Sequence, residues 1–196
     1  MRVYEPMSDV SGNIKEYKHN FKDWSNSIAL FGDSTTWGHG LKEEDKLHNV
    51  LKRDRALRKF PRVVNNFAYP GESNWHIWMR LIDVVKEHGW PGVLVIGWTT
   101  PYRYATFENG KVNKVGHWNK ADTIFNNEED LIEYSKIIID SVRVNAFART
   151  NLIEWTWFPL NGFVEQATMY DFSGDDDKHP GPKSIKKLAE KIIDEL

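Results

Sequence analysis

Two short apolar runs, SIALFGDS at 27–34 and GVLVIGW at 92–98, most constrain what this chain can fold into. Neither alternates polar with apolar side chains, so a strand formed by either has two faces to bury. A sheet buried on both faces needs helices on both sides, and the rest of the sequence supplies them. Residues 43–60 place Leu47, Val50, Leu51 and Leu57 at helical spacing, with acids first and bases last as the helix dipole prefers. RVVNNFAY predicts a second strand. Ser73 or Asn74 can then cap a helix through WHIWMRLIDVVKEHG, ended by Gly89 and Pro91. A further helix is predicted over about 128–149, a strand at NLIEWTWF, and a last amphipathic helix over about 183–196. Strands alternating with helices of this length predict a three-layer α/β/α sandwich around a parallel sheet of about five strands. Ligands of such sheets bind beyond the carboxyl ends of the strands.

With 196 residues and no internal repeat or linker, 27–196 reads as a single domain and 1–26 as an N-terminal extension packed on it by isolated aromatics. The net charge of −2 leaves no basic stripe for nucleic acid. No run approaches the roughly 20 apolar residues of a membrane span, and no signal peptide is evident. Cysteine is absent, which excludes thiol chemistry and fits a reducing compartment. These features predict a cytoplasmic protein with no nucleic-acid or membrane partner; they say nothing of oligomeric state.

Two segments carry the chemistry. In FGDSTTWGHG, Asp33 and Ser34 follow the first strand, with Gly32 allowing a tight turn that presents the hydroxyl at the sheet edge. A serine hydroxyl becomes a useful nucleophile when an imidazole takes its proton and a carboxylate fixes the imidazole's tautomer. SGDDDKHPGP near the other end offers both, His179 as base and Asp176 as acid, with Asp175 and Asp177 as alternatives to Asp176. Pro180 and Pro182 stiffen that loop. The other reading of the acidic triplet is a solvated charge run or a weak cation site.

GDS near the N-terminus and D-x-x-H-P near the C-terminus, on an alternating α/β chain of this length, resemble the SGNH (GDSL-type) hydrolase family over most of the chain, from Ser27 to about Leu196. The resemblance implies the flavodoxin-like fold of that family and a serine esterase working through an acyl-enzyme. It implies that the backbone N–H groups of Ser34 and Gly71 form an oxyanion hole. Where the family has G-x-N-D, this chain has Gly97-Trp98-Thr99-Thr100, so Thr99 or Asn74 would supply the third donor. GWTTPYR also resembles phage-encoded members, which would place the protein in a host cytoplasm or a virion. The nucleophile-elbow motif G-x-S-x-G is absent.

Asp33, Trp37, Trp98 and Arg103 are the candidates for substrate contact. Arg103 either binds an anionic group or pairs with a carboxylate. Nine Trp, several beside the motifs, suit sugar rings and acyl chains alike, and point to a small-molecule or glycan ester, an acetyl ester among them. An acyltransferase with the same residues and a silent glycan- or protein-binding module are the rivals, Thr99 favouring the second. His39, His48, His76, His88 and His117 lack metal-ligand spacing, so neither metal nor cofactor is expected. The long segment 101–128 is read as a lid.

Overall fold

A computed structural model describes residues 19–53, 63–108, 111–116, 125, 127–173 and 178–196. Its centre is a parallel sheet of β1 (Ile28–Gly32), β2 (Val64–Asn66), β3 (Val93–Trp98) and β6 (Asn151–Thr156), in the order β2-β1-β3-β6. β4 (Tyr104–Glu108) and β5 (Lys111–Val115) pair antiparallel as a separate hairpin. The parallel strands carry little polar alternation because both their faces are covered. Ala29, Phe31, Leu94 and Ile96 face one core with Ile77 and Leu81 of α3 (Asn74–His88) and Ile138, Ile139 and Val142 of α4 (Glu128–Ala146). Ile28, Leu30, Val93, Val95 and Ile153 face the other, with Leu47 and Leu51 of α2 (Leu47–Arg53) and Ile185, Leu188 and Ile192 of α5 (Pro182–Asp194). Period-2 alternation along each strand thus feeds two cores, giving the three layers.

The predicted sheet of about five strands has four among the described residues. The place of a fifth is taken by a single parallel bridge between Thr156 and Gln166, with Thr156 N–H donating to Glu165 O and Ala167 N–H to Thr156 O. Pro159, Asn161 and Gly162 in the intervening chain, the last two at positive φ, spend the approach on turns. The helix predicted over 43–60 begins as a 3-10 turn (Glu43–Asp45) before α2, and 54–60 lies outside the described residues. The segment read as a lid contributes the β4–β5 hairpin; 109–110, 117–124 and 126 lie outside the described residues. Of the N-terminal extension, 1–18 lies outside them too. From His19 onward the chain is packed on the body: the His19 ring stacks on Phe67 at 3.9 Å, Phe21 stacks on His88 at 3.6 Å, and Trp24 is buried.

β1 is flanked by β2 on one side and β3 on the other, so the chain leaves β1 in one direction and returns to its far side. That is the switch point at which open parallel sheets leave a crevice between diverging loops. The residues after β1 and after β3 meet there. No helix of the described residues is long and apolar enough to cross a membrane.

Candidate functional site

Ser34 opens α1 (Ser34–Trp37), a single helical turn directly after β1. The turn forms because Asp33 adopts extended backbone and its Oδ1 accepts from Thr35 N–H at 2.9 Å and from Thr35 Oγ1 at 2.7 Å. Gly38, at φ +90°, closes it, with its N–H donating to Ser34 O. As first residue of a helical turn, Ser34 has a backbone N–H without an intrahelical acceptor. The residue is 6% exposed.

His179 Nε2 lies 2.9 Å from Ser34 Oγ. Main-chain bonds hold the imidazole in reach. Ser173 N–H donates to His179 O at 2.8 Å, Gly181 N–H to Asp171 O at 2.9 Å, and Phe172 and Pro180 form an antiparallel bridge. Asp171 fixes the lower end of this loop, Oδ1 accepting from the N–H and Oγ of Ser184 and Oδ2 from Lys183 N–H. Asp176, the expected acid, and its alternatives Asp175 and Asp177 lie outside the described residues. A second imidazole, His39, sits with its ring centre 4.7 Å from that of His179. The sequence places His39 only among the histidines without metal-ligand spacing; its position five residues after Ser34, on a Gly-His-Gly turn, is the signal for its nearness to the site.

Gly71 has φ +75° in the turn after β2, a conformation glycine adopts without steric cost. Asn74 and Thr99 are joined: Thr99 N–H donates to Asn74 Oδ1 at 2.9 Å, and Asn74 Nδ2 donates to Thr99 O at 3.2 Å. The Thr99 hydroxyl donates to Asp33 Oδ2 at 2.6 Å. Both side chains, expected as oxyanion donors, therefore hold loop to loop in this structure. Asp33, expected against substrate, is 1% exposed and takes Arg103 Nη1 at 2.7 Å on Oδ2, so Arg103 takes the carboxylate-pairing alternative. Trp98, also expected against substrate, is a core residue whose indole donates to Glu154 Oε1 at 2.8 Å. Its neighbours along β3 are all buried, which a six-residue apolar strand makes the natural outcome. Trp37 is half-buried with Lys46 Nζ 4.1 Å from its ring centre.

Behind the glycine turn lies a buried polar group that sequence alone did not reveal. Glu72 is 0% exposed and pairs through Oε1 with Arg80 Nε, at 3.1 Å, and with Arg80 Nη2. Burial raises its pKa against the opposing pull of Arg80 and Lys114. Arg80 and Lys114 both lie over the Tyr69 ring, at 5.2 and 5.4 Å.

No family model matches the chain, and no curated protein does. Solved structures do. A protein assigned to the lipolytic G-D-S-L family of Desulfitobacterium hafniense DCB-2 shares 16% identity at a TM-score of 0.56, covering 87% of this chain and 99% of its own. The psychrotrophic esterase EstA of Pseudoalteromonas sp. shares 13% identity at a TM-score of 0.54, over 87% and 96%. A carbohydrate esterase, described as displaying divergent catalytic and non-catalytic binding functions in its active site, shares 15% identity at 0.56, over 92% and 66%. The fold is that of the GDSL/SGNH lipolytic proteins and esterases.

Proposed function

We propose that the chain is a serine ester hydrolase in which Ser34 is the nucleophile and His179 its base. The observation that carries the reading is the 2.9 Å approach of His179 Nε2 to Ser34 Oγ at the switch point of the sheet. His179 takes the hydroxyl proton as Ser34 Oγ attacks the ester carbonyl. The negative charge that develops on the carbonyl oxygen is met by the backbone N–H groups of Ser34 and Gly71, each donor being worth about 10²- to 10³-fold in rate. Collapse expels the alcohol, protonated by His179, and leaves an acyl-serine. Water, deprotonated by the same imidazole, then releases the acid. Asp176 is the acid assigned to orient His179. The likeness to esterases in fold supports a hydrolase of esters; a small acyl group such as acetyl, carried on a carbohydrate, is the finer form of the proposal.

One observation favours a second reading, a weak or silent binding module: the Thr99 hydroxyl is committed to Asp33, leaving two backbone donors for the oxyanion. Divergent catalytic and non-catalytic binding in the similar carbohydrate esterase makes that alternative concrete. Hydrolysis of p-nitrophenyl acetate by wild type and by Ser34→Ala separates the two. The expected result is turnover by wild type alone, with a fluorophosphonate adduct on Ser34. Equal rates for both proteins, or an unlabelled wild type, would overturn the hydrolase reading.

A further inference from the structure

The β4–β5 hairpin is joined to the nucleophile turn by a buried ion pair. Arg103, the residue before β4, sets Nη1 2.7 Å from Asp33 Oδ2, their side chains being 12% and 1% exposed. The same nitrogen lies 3.2 Å from Thr99 Oγ1, whose proton goes to that carboxylate oxygen. Oδ1 of Asp33 meanwhile receives both donors of Thr35. One carboxylate therefore faces two ways, into the turn that presents Ser34 and into the connection leaving β3. A carboxylate so buried is tolerated when it is both paired and hydrogen-bonded, and its orientation then follows its partners. The hairpin's second strand runs to the neighbouring loop, where Lys114 and Arg80 flank Tyr69, and Tyr69 N–H donates to Gly32 O at 3.0 Å, one residue before Asp33.

We propose that Arg103 is a positioning residue for Ser34, acting through Asp33, so that the base of the hairpin belongs to the machinery that aims the nucleophile. The proposal rests on the reading of Ser34 as nucleophile. An aiming group changes the reactive geometry without contacting substrate, so its loss falls on kcat and leaves KM nearly alone. Its effect also vanishes once the carboxylate it holds is neutral.

Rates on p-nitrophenyl acetate are to be compared for wild type, R103K, R103M, D33N and the double variant D33N/R103M, with near-ultraviolet circular dichroism as the check on fold. R103M should lose about 10- to 10²-fold in kcat with KM within about twofold of wild type. R103K should recover part of that loss, keeping the charge without the planar fork. D33N/R103M should match D33N within about twofold, because Arg103 then has no charge to hold. Unchanged kcat in R103M, a loss confined to KM, or additive losses in the double variant would each overturn the proposal. If R103M does not fold, R103K and the double variant, which leaves no buried charge unpaired, decide in its place. A wild type that neither turns over nor takes a fluorophosphonate overturns the reading of Ser34 and the proposal with it; an active wild type matched by its Arg103 variants overturns the proposal alone.

Discussion

His179 Nε2 and Ser34 Oγ stand 2.9 Å apart although 145 positions separate them in the chain. In the proposed hydrolase the pair acts as a unit: without the imidazole the hydroxyl keeps its proton, and without the hydroxyl the imidazole has nothing to activate. Ser34→Ala and His179→Ala are each expected to lower kcat by at least about a thousandfold, and the double variant to be no worse than either alone. Steady-state rates of the three variants check this, and multiplicative losses would show that the two side chains act separately.

The loop carrying His179 is held by Asp171, through its bonds to Lys183 and Ser184 at the start of α5. Asp171→Ala strips three acceptances from that end and is expected to cost about 1–2 kcal/mol, the usual scale for a lost helix cap. Gly181 marks a close approach, since a Cβ there would lie 2.4 Å from Phe172 O and 2.6 Å from Asp171 Cγ. Gly181→Ala should therefore force the two arms of the loop apart and lower kcat as well as stability. Urea midpoints read with kcat test both variants, and a Gly181→Ala protein with wild-type values of each would show the approach to be slack.

Much of this was legible from residues alone, for reasons of range. The four parallel strands and the long helices follow from local periodicity, and Ser73, Gly89 and Pro91 mark the ends of α3 by chemistry that needs no neighbours. That Ser34 and His179 could meet at the sheet edge was legible because each sits beside turn residues at the end of an element. What escaped depends on tertiary contact. Trp98 reads as a binding aromatic and is a core residue because β6 and α4 close over it, and Glu154 of β6 takes its indole N–H. Thr99 reads as an oxyanion donor, and nothing in GWTT shows that Asp33, 66 positions away, receives its proton. The pairing of Glu72 with Arg80 was equally hidden, because charged residues two helical turns apart are normally solvated.

Thr36 occupies a slot made by two glycines. A Cβ on Gly97 would lie 2.2 Å from Thr36 Oγ1 and 2.8 Å from Trp155 Cζ2, and a Cβ on Gly32 would meet Thr36 Oγ1 at 2.1 Å. β1 and β3 thus lack side chains where α1 packs over them, which lets the turn carrying Ser34 sit close to the sheet. Gly97→Ala is expected to destabilise the protein by about 1–3 kcal/mol, as overpacking does, and to reduce kcat by moving α1. Thr36→Ala should relieve part of the Gly97→Ala penalty but leave the part due to Trp155. A urea-unfolding double-mutant cycle measures that coupling, and strict additivity would contradict the slot.

Two buried histidines predict how stability depends on pH. Desolvation holds His48 down to about 4, with Lys52 adding to the effect, and His76 to about 3, with Lys114 and Arg80 adding. In the fold both are neutral partners, His48 Nδ1 beside Asn66 Nδ2 at 3.2 Å and His76 Nδ1 beside Ser73 Oγ at 2.7 Å. In the unfolded chain both titrate near 6.5. Between those values the unfolded state binds more protons than the folded one, so stability is fullest above about pH 6.5 and falls as the pH drops toward 4. Each group contributes at most about 1.4 kcal/mol per pH unit in that window. Ordinary carboxylates titrate mostly below it, and Glu72, raised by burial, works in the opposite direction, so the expected fall is the histidine contribution less that of Glu72. Urea midpoints at pH 7, 6 and 5 should fall in that order, and His76→Gln should flatten the trend, its amide remaining uncharged throughout. Equal midpoints for the wild type at pH 7 and pH 5 would mean that the two imidazoles contribute no more than Glu72 offsets.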